Sequence, residues 1–210
     1  MFKKREMCNY SAEHIKAIII DWLLEHHNDI IIGNEVMYGS KRKVVDLLAI
    51  SGGKTIAIEI KSATDKLSRL QDQIEEYSKI FDLIIIVSAP SHIPGIKKII
   101  GENIGLYSTE NNIIKIQKPM LVRNHDKLEM LYSISSSFIK KQYSQYRSLK
   151  ESETRLALSK TKMTEVHQLL VSFYRYRLTE RFQLFMRDRG EHTLIDDIPT
   201  LSLLTRIDLF

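Results

Sequence analysis

Two β-rich runs meet at a pair of glycines, and this junction constrains the fold more than any other stretch of the chain. Residues 43–50 and 54–61 flank Gly52-Gly53, the signature of a hairpin closed by a two-residue primed turn. With Ser51 paired to Lys54, the register sets Asp46 directly across from Glu59. Lys61, two residues on, points to the same face as Glu59. The other face then carries Val45, Leu47, Ala49, Ile56, Ile58 and Ile60, an apolar set suited to a core. A turn longer by one residue would turn Asp46 away from Glu59.

The flanking segments read as an α/β core. Residues 11–27 predict an amphipathic helix capped by Ser11, with Ile15, Ile18, Ile19, Trp22 and Leu23 on one stripe. Residues 30–38 are extended, with a break expected at Gly33-Asn34. A helix is predicted over 63–81, with Leu67, Leu70, Ile74, Tyr77 and Phe81 on one stripe, and Ser62 or Thr64 as its cap. The apolar run 83–88 predicts a buried strand. A short helix near 96–100 and weak strands near Leu106 and 113–116 follow. Beyond Pro119 the period is helical alone: one helix over 126–146, a polar hinge at 148–153, and a second helix, open to a break, over 153–189. Strands alternating with crossover helices give the α/β class, with a core over 1–120 and a basic α-helical region over 121–210.

Composition excludes several classes. The chain has 210 residues, 43% hydrophobic, with only 8 Gly and 4 Pro, so it is neither disordered nor collagen-like. No apolar run approaches the ~18 residues of a membrane helix, and the basic start Met1-Phe2-Lys3-Lys4-Arg5 lacks the apolar stretch of a signal peptide. The single cysteine, Cys8, allows neither an internal disulfide nor a thiolate zinc site, and a cytoplasmic location is expected. The net charge of +5 is uneven: residues 123–189 carry 14 Lys+Arg against 7 Asp+Glu. A basic back half points to an anionic partner, or else to a solvated helical surface.

The hairpin carries the chemistry. Directly opposed carboxylates destabilise a sheet and call for a cation between them. Hard oxygen ligands with room for water describe a Mg²⁺ or Mn²⁺ site. A lysine beside such an ion can orient its water and offset charge building on a phosphate. The plainer alternative is a solvated Asp46 and an ordinary Glu59–Lys61 surface pair.

Val45-Asp46, a thirteen-residue step, and then Glu59-Ile60-Lys61 resemble the PD-(D/E)XK phosphodiesterase superfamily, with valine in place of the usual proline. Gln73-Ile74-Glu75-Glu76-Tyr77 matches the Q-x-x-x-Y motif of its RecB-like branch. Together with Ser62, Arg69-Leu70 and Phe81-Asp82, these motifs look like a family of small standalone bacterial proteins that join a nuclease core to a helical tail. The resemblance covers roughly residues 10–120. It implies a restriction-endonuclease-like mixed sheet flanked by helices. It also implies metal held by Glu35, Asp46, Glu59 and the Ile60 carbonyl, and catalysis by Asp46, Glu59 and Lys61. Gln73, Tyr77 and Arg69 would support them, and Glu13 is a further candidate.

Read without the family, Arg69, Gln73 and Tyr77 share a helix face and would grip a phosphate or steady the carboxylates; otherwise Tyr77 is core and the other two are solvated. His26-His27 fit a helix-end role better than ligation, and His14, His92, His125 and His167 have no partner at metal-ligand spacing. Arg175, Arg177 and Arg181, set among aromatics, are candidates for nucleic-acid backbone contacts. The expected activity is metal-dependent hydrolysis of nucleic acid, DNA first. The rival is a non-catalytic nucleic-acid-binding or regulatory protein that keeps the fold. The sequence leaves open a homo-oligomer or a partner protein.

Overall fold

The computed structural model describes residues 10–110 and 112–203, so Cys8 lies outside the described residues. Six strands form one sheet in chain order: β1 (Ile31–Tyr38), β2 (Lys43–Ser51), β3 (Lys54–Lys61), β4 (Leu83–Ser88), β5 (Gly105–Thr109) and β6 (Ile113–Gln117). β1, β2 and β3 are antiparallel neighbours, β4 runs parallel to both β3 and β5, and β6 returns antiparallel. The sheet is therefore mixed. α1 (Ala12–His26) packs on one face with Ile15, Ile19, Ile20 and Leu23 against Leu47, Ile56, Ile58 and Ile60. Ser11 caps it as expected, its hydroxyl accepting from the His14 N–H.

The parallel step from β3 to β4 needs a crossover, and residues 62–82 supply it with α2 (Leu70–Ser78) on the opposite face. This helix is shorter than the predicted 63–81. Asp65 accepts both the N–H and the hydroxyl of Ser62, at 2.7 and 2.6 Å, which closes a turn and delays the helix to Leu70. Ser62 thus shapes the loop instead of capping the helix. Pro94 falls inside α3 (Ile93–Ile96), which ends short of the helix expected over 96–100.

β1 also departs from expectation. Pairing runs unbroken through Gly33 and Asn34, and the gap falls one residue later, between Asn34↔Leu47 and Val36↔Val45. There Glu35 takes φ 52°, a left-handed conformation that few side chains adopt. The irregularity switches faces. Ile32 and Leu47 belong to the α1 layer, whereas Val36 and Val45 belong to the α2 layer. The expectation that Val45 shares a face with Leu47 is thereby overturned, because strict alternation does not survive the kink. Gly33 serves close approach: a Cβ there would lie 2.4 Å from Leu178 Cδ2.

The helical region is four pieces, α4 (Lys127–Ser133), α5 (Ser136–Gln142), α6 (Glu151–Ser159) and α7 (Met163–Asp188), so the first predicted helix is split and the second has the break that the sequence allowed. Ser135 caps α5 and so breaks the first predicted helix, its hydroxyl accepting from the Phe138 N–H. Met130, Leu131, Phe138, Leu158, Leu170 and Tyr174 join the same buried cluster as Tyr77, Phe81 and Ile84. Among the described residues no helix is long and apolar enough to cross a membrane.

His167 on α7 gains the partner that sequence spacing did not reveal. Its Nε2 lies 2.9 Å from both oxygens of Asp82, and Asp82 Oδ2 also accepts from the Thr55 N–H at 2.7 Å. The bond to Asp82 raises the His167 pKa. Burial pushes Asp82 up, but its bonds from His167 and Thr55 outweigh that and hold it low. The His167 contribution is full below its unfolded value near 6.5 and is lost as pH rises through its higher folded value. The Asp82 contribution is present above 3.8 and is lost as pH falls through its lower one. The pair is partly solvated and so contributes about 1 kcal/mol at most. His167→Gln should accordingly lower Tm by roughly 2–4 °C near pH 6 and by less at pH 9. Equal losses at both pH values would mean that the imidazole packs without pairing.

Candidate active site

The hairpin forms as the glycines require. Gly52 and Gly53 take φ 55° and 72°, Ser51 pairs with Lys54, and the ladder runs to Leu47↔Ile58. Asp46 and Glu59 come next, where the ladder opens. In a regular ladder the Ile60 N–H would meet the Val45 carbonyl; here it donates to Asp46 Oδ2 at 2.8 Å. The Asp46 carboxylate therefore fills the gap between β2 and β3. A residue that turns its N–H toward a strand in such a pair turns its carbonyl the same way, so the Ile60 carbonyl faces this gap too.

Glu59 and Lys61 share the α2 side of β3 and are only 3% and 7% exposed. Lys61 Nζ donates to Glu59 Oε1 at 2.6 Å and to Gln73 Oε1 at 3.0 Å. The Gln73 amide donates to the same Glu59 oxygen at 2.5 Å, and the Tyr77 hydroxyl donates to the other. Gln73 and Tyr77, one turn apart on α2, thus clasp Glu59 from one side while Lys61 pairs with it from its own strand. Burial, and then the negative charge of Glu59, push the Tyr77 hydroxyl pKa far up, so it stays a donor. Burial and the charge of Glu59 likewise raise Asp46, to about 6.

Sequence reasoning missed Lys16. Its side chain is almost wholly buried on α1, its ammonium lies 3.0 Å from Glu13 Oε1, and its charge partly offsets the upward push on Asp46. The available signal was a lysine inside the apolar run Ile15–Ile20, on a helix whose other face carries the charges. Glu13 reaches the site only through Lys16.

The remaining candidates are dispersed. Glu35 lies across from Asp46 at the kink of β1, and among the described residues no three His, Cys, Asp or Glu side chains converge as a metal-binding group. Arg69 stands exposed before α2 and makes no hydrogen bond to the Glu59 cluster. On α7, Arg175 acts on Asp29 near the Gly52 turn, whereas Arg177 lines a cavity beside Tyr38 and Arg42. Two residues apart is about 200° around a helix, so the two arginines face different ways.

The donor chemistry of the hairpin suits a hard divalent cation. Asp46 has one oxygen bonded to the Ile60 N–H and the other without a hydrogen-bond partner among the described residues. Burial, and then the charge of Glu59, raise Asp46, and an ion bound there would offset both. Asp46, the Ile60 carbonyl and Glu59 could hold it, with Glu59 exchanging a bond from Lys61 or Gln73.

Comparison with known proteins adds a family. A solved structure of a protein of unknown function from Silicibacter pomeroyi matches 89% of this chain and 98% of its own, with a TM-score of 0.50 at 11% identity, a likeness of fold alone. Protein cII of Enterobacteria phage P4 is 25% identical over 208 residues, covering 92% of this chain and 78% of its own. The family model described as Bacteriophage P4 protein cII matches residues 7–202, nearly the whole chain, and the chain belongs to that family.

Proposed function

We propose that this protein is a restriction-endonuclease-like hydrolase of nucleic-acid phosphodiesters, dependent on Mg²⁺ or Mn²⁺, acting in the cytoplasm with DNA as its first substrate. The observation that carries the reading is the buried Glu59–Lys61 pair, clasped by Gln73 and Tyr77, beside a carboxylate raised to about 6. Burying two charges is costly unless they are paired, and sheet pairing alone has no need for them. Asp46, Glu59 and the Ile60 carbonyl would hold the ion, which supplies an acidified water and counter-charge for the phosphate. Lys61 orients the attacking water and offsets the charge that builds on the phosphate. Gln73 and Tyr77 fix the Glu59 carboxylate, and Lys16 balances the charge at Asp46.

Labelled single- and double-stranded DNA and RNA, incubated with Mg²⁺, Mn²⁺ or EDTA, test this reading. Cleavage is expected with metal and none with EDTA, and Lys61→Ala should stop hydrolysis while leaving affinity near wild type. Absence of cleavage on all four substrates overturns the proposal. A second reading, a nucleic-acid-binding protein that keeps the fold without the chemistry, is favoured by one observation: both Glu59 oxygens are already taken by protein donors. Binding without cleavage would establish it.

The arginines separate in the same assay. Each lost phosphate contact lowers the salt slope of binding by ~0.9 for duplex DNA or ~0.7 for a single strand. Arg177→Gln should lower the slope by about that amount. Arg175→Gln should leave it unchanged, because Arg175 lies about 200° around α7 from Arg177, away from the cavity that Arg177 lines. Equal effects would mean that the strand wraps both sides of α7.

A further inference from the structure

A cavity of about 370 Å³ opens between the β1–β2 turn, the α4–α5 junction and helices α6 and α7. None of Asp46, Glu59, Lys61 and Gln73 lines it, and three arginines do: Arg42, Arg155 and Arg177. Like charges gather at a cost unless an anion offsets them. Among the described residues the only carboxylate in the lining is Glu151, which bonds Arg155 from a side chain that is 61% exposed. Among the described residues, Arg42 and Arg177 have no carboxylate partner.

Arg155 and the turn that carries Arg42 are held in place before any ligand arrives. Arg155 is fixed by its Nε and Nη2 donating to the carbonyls of Leu131 and Ile134, each at 3.1 Å. The turn that carries Arg42 is tied to α4: the Gly39 N–H donates to Ser133 Oγ at 2.9 Å. The Ser40 N–H and hydroxyl donate to the two oxygens of Glu129 at 2.8 and 2.7 Å. Arg42 itself takes φ 51°, a conformation kept only where its surroundings enforce it. Tyr132, with Arg155 stacked 4.8 Å from its ring centroid, adds an aromatic wall. Pre-set arginines recognise phosphate through paired N–H donors, and the volume falls in the range of small-molecule sites.

We infer that this cavity binds a phosphate ester of nucleotide size, with Arg42 and Arg177 as its phosphate ligands and Arg155 as fixed positive charge behind them. The phosphate belongs either to a free mononucleotide or to a nucleic-acid strand. The site stands independently of cleavage, since no residue of the hairpin cluster takes part.

Isothermal titration calorimetry of the full chain with deoxyadenosine monophosphate, deoxyadenosine and a short single-stranded oligonucleotide tests it. The monophosphate should bind and the nucleoside should not. Arg42→Gln should weaken binding about tenfold, the loss of one charge-assisted contact. Glu151→Gln should tighten it by freeing Arg155, a gain that a misfolded variant would not give. If the oligonucleotide alone binds, with the same loss in Arg42→Gln, the phosphate is that of a strand. Equal binding of nucleoside and monophosphate, or affinities that neither variant changes, overturns the inference.

Discussion

Glu59→Ala is expected to destabilise the protein by about 3–5 kcal/mol, because it strips the counter-charge from a buried ammonium. Lys61 is 7% exposed and has two partners, Glu59 and Gln73; only Glu59 is charged. The same change leaves the Tyr77 hydroxyl, sealed under α2, without its acceptor, which costs a further ~1–3 kcal/mol if nothing replaces it. For a chain of this length each kcal/mol is worth about 2–4 °C, so the orphaned ammonium alone should lower Tm by roughly 6–20 °C. Urea denaturation of Glu59→Ala and of the double variant Glu59→Ala/Lys61→Met tests the cause. The double variant should recover much of the loss, since it removes the orphaned charge. A single variant within about 1 kcal/mol of wild type would mean that water reaches Lys61 and that the pair is a solvated one.

The same residues show what a sequence can and cannot convey. Strand alternation and the diglycine turn are local, two-residue properties, so the hairpin and its register as far as Leu47↔Ile58 were legible. The i, i+4 spacing likewise put Gln73 and Tyr77 on one face, which the structure turns toward Glu59. Val45 was misassigned because alternation presumes an even pleat, and the left-handed Glu35 on the neighbouring strand breaks it. No periodicity encodes a kink imposed from a partner strand. Lys16 and His167 were missed for a related reason: Asp46, on which the charge of Lys16 acts, and Asp82, which His167 bonds, lie on elements far away in sequence. The helix breaks after 133 and 159 follow from capping and turn bonds that compete with helix propensity over a few residues. The mixed sheet with its flanking helices was therefore readable, while the cavity formed by Arg42, Arg155 and Arg177 was not, since those residues come from three separate elements.

Asp46→Asn should separate stability from chemistry. Asparagine keeps an oxygen that can accept the Ile60 N–H, so the contact that fills the gap between β2 and β3 survives. What it removes is charge. Asp46 is raised from 3.8 to about 6, so between those values the native chain holds a proton that the unfolded chain has lost. The stability this group contributes is full below 3.8 and is lost as pH rises through about 6, a penalty of about 2–3 kcal/mol at most at neutral pH. The variant escapes that penalty. It should match or exceed wild type in Tm at pH 8, with the difference vanishing near pH 4. Divalent metal should reverse the order, because an ion bound at Asp46 and Glu59 stabilises the wild-type native state by mass action and the variant far less. Cleavage by the variant should fall to background under all of these conditions. Thermal melts at the two pH values, each with and without Mg²⁺, decide the matter alongside the cleavage assay. A variant that is less stable than wild type at pH 8 and still cleaves would make Asp46 a structural residue that holds the strand edge. A variant that is more stable, with no response of either protein to metal, would leave the repulsion real and the metal site absent.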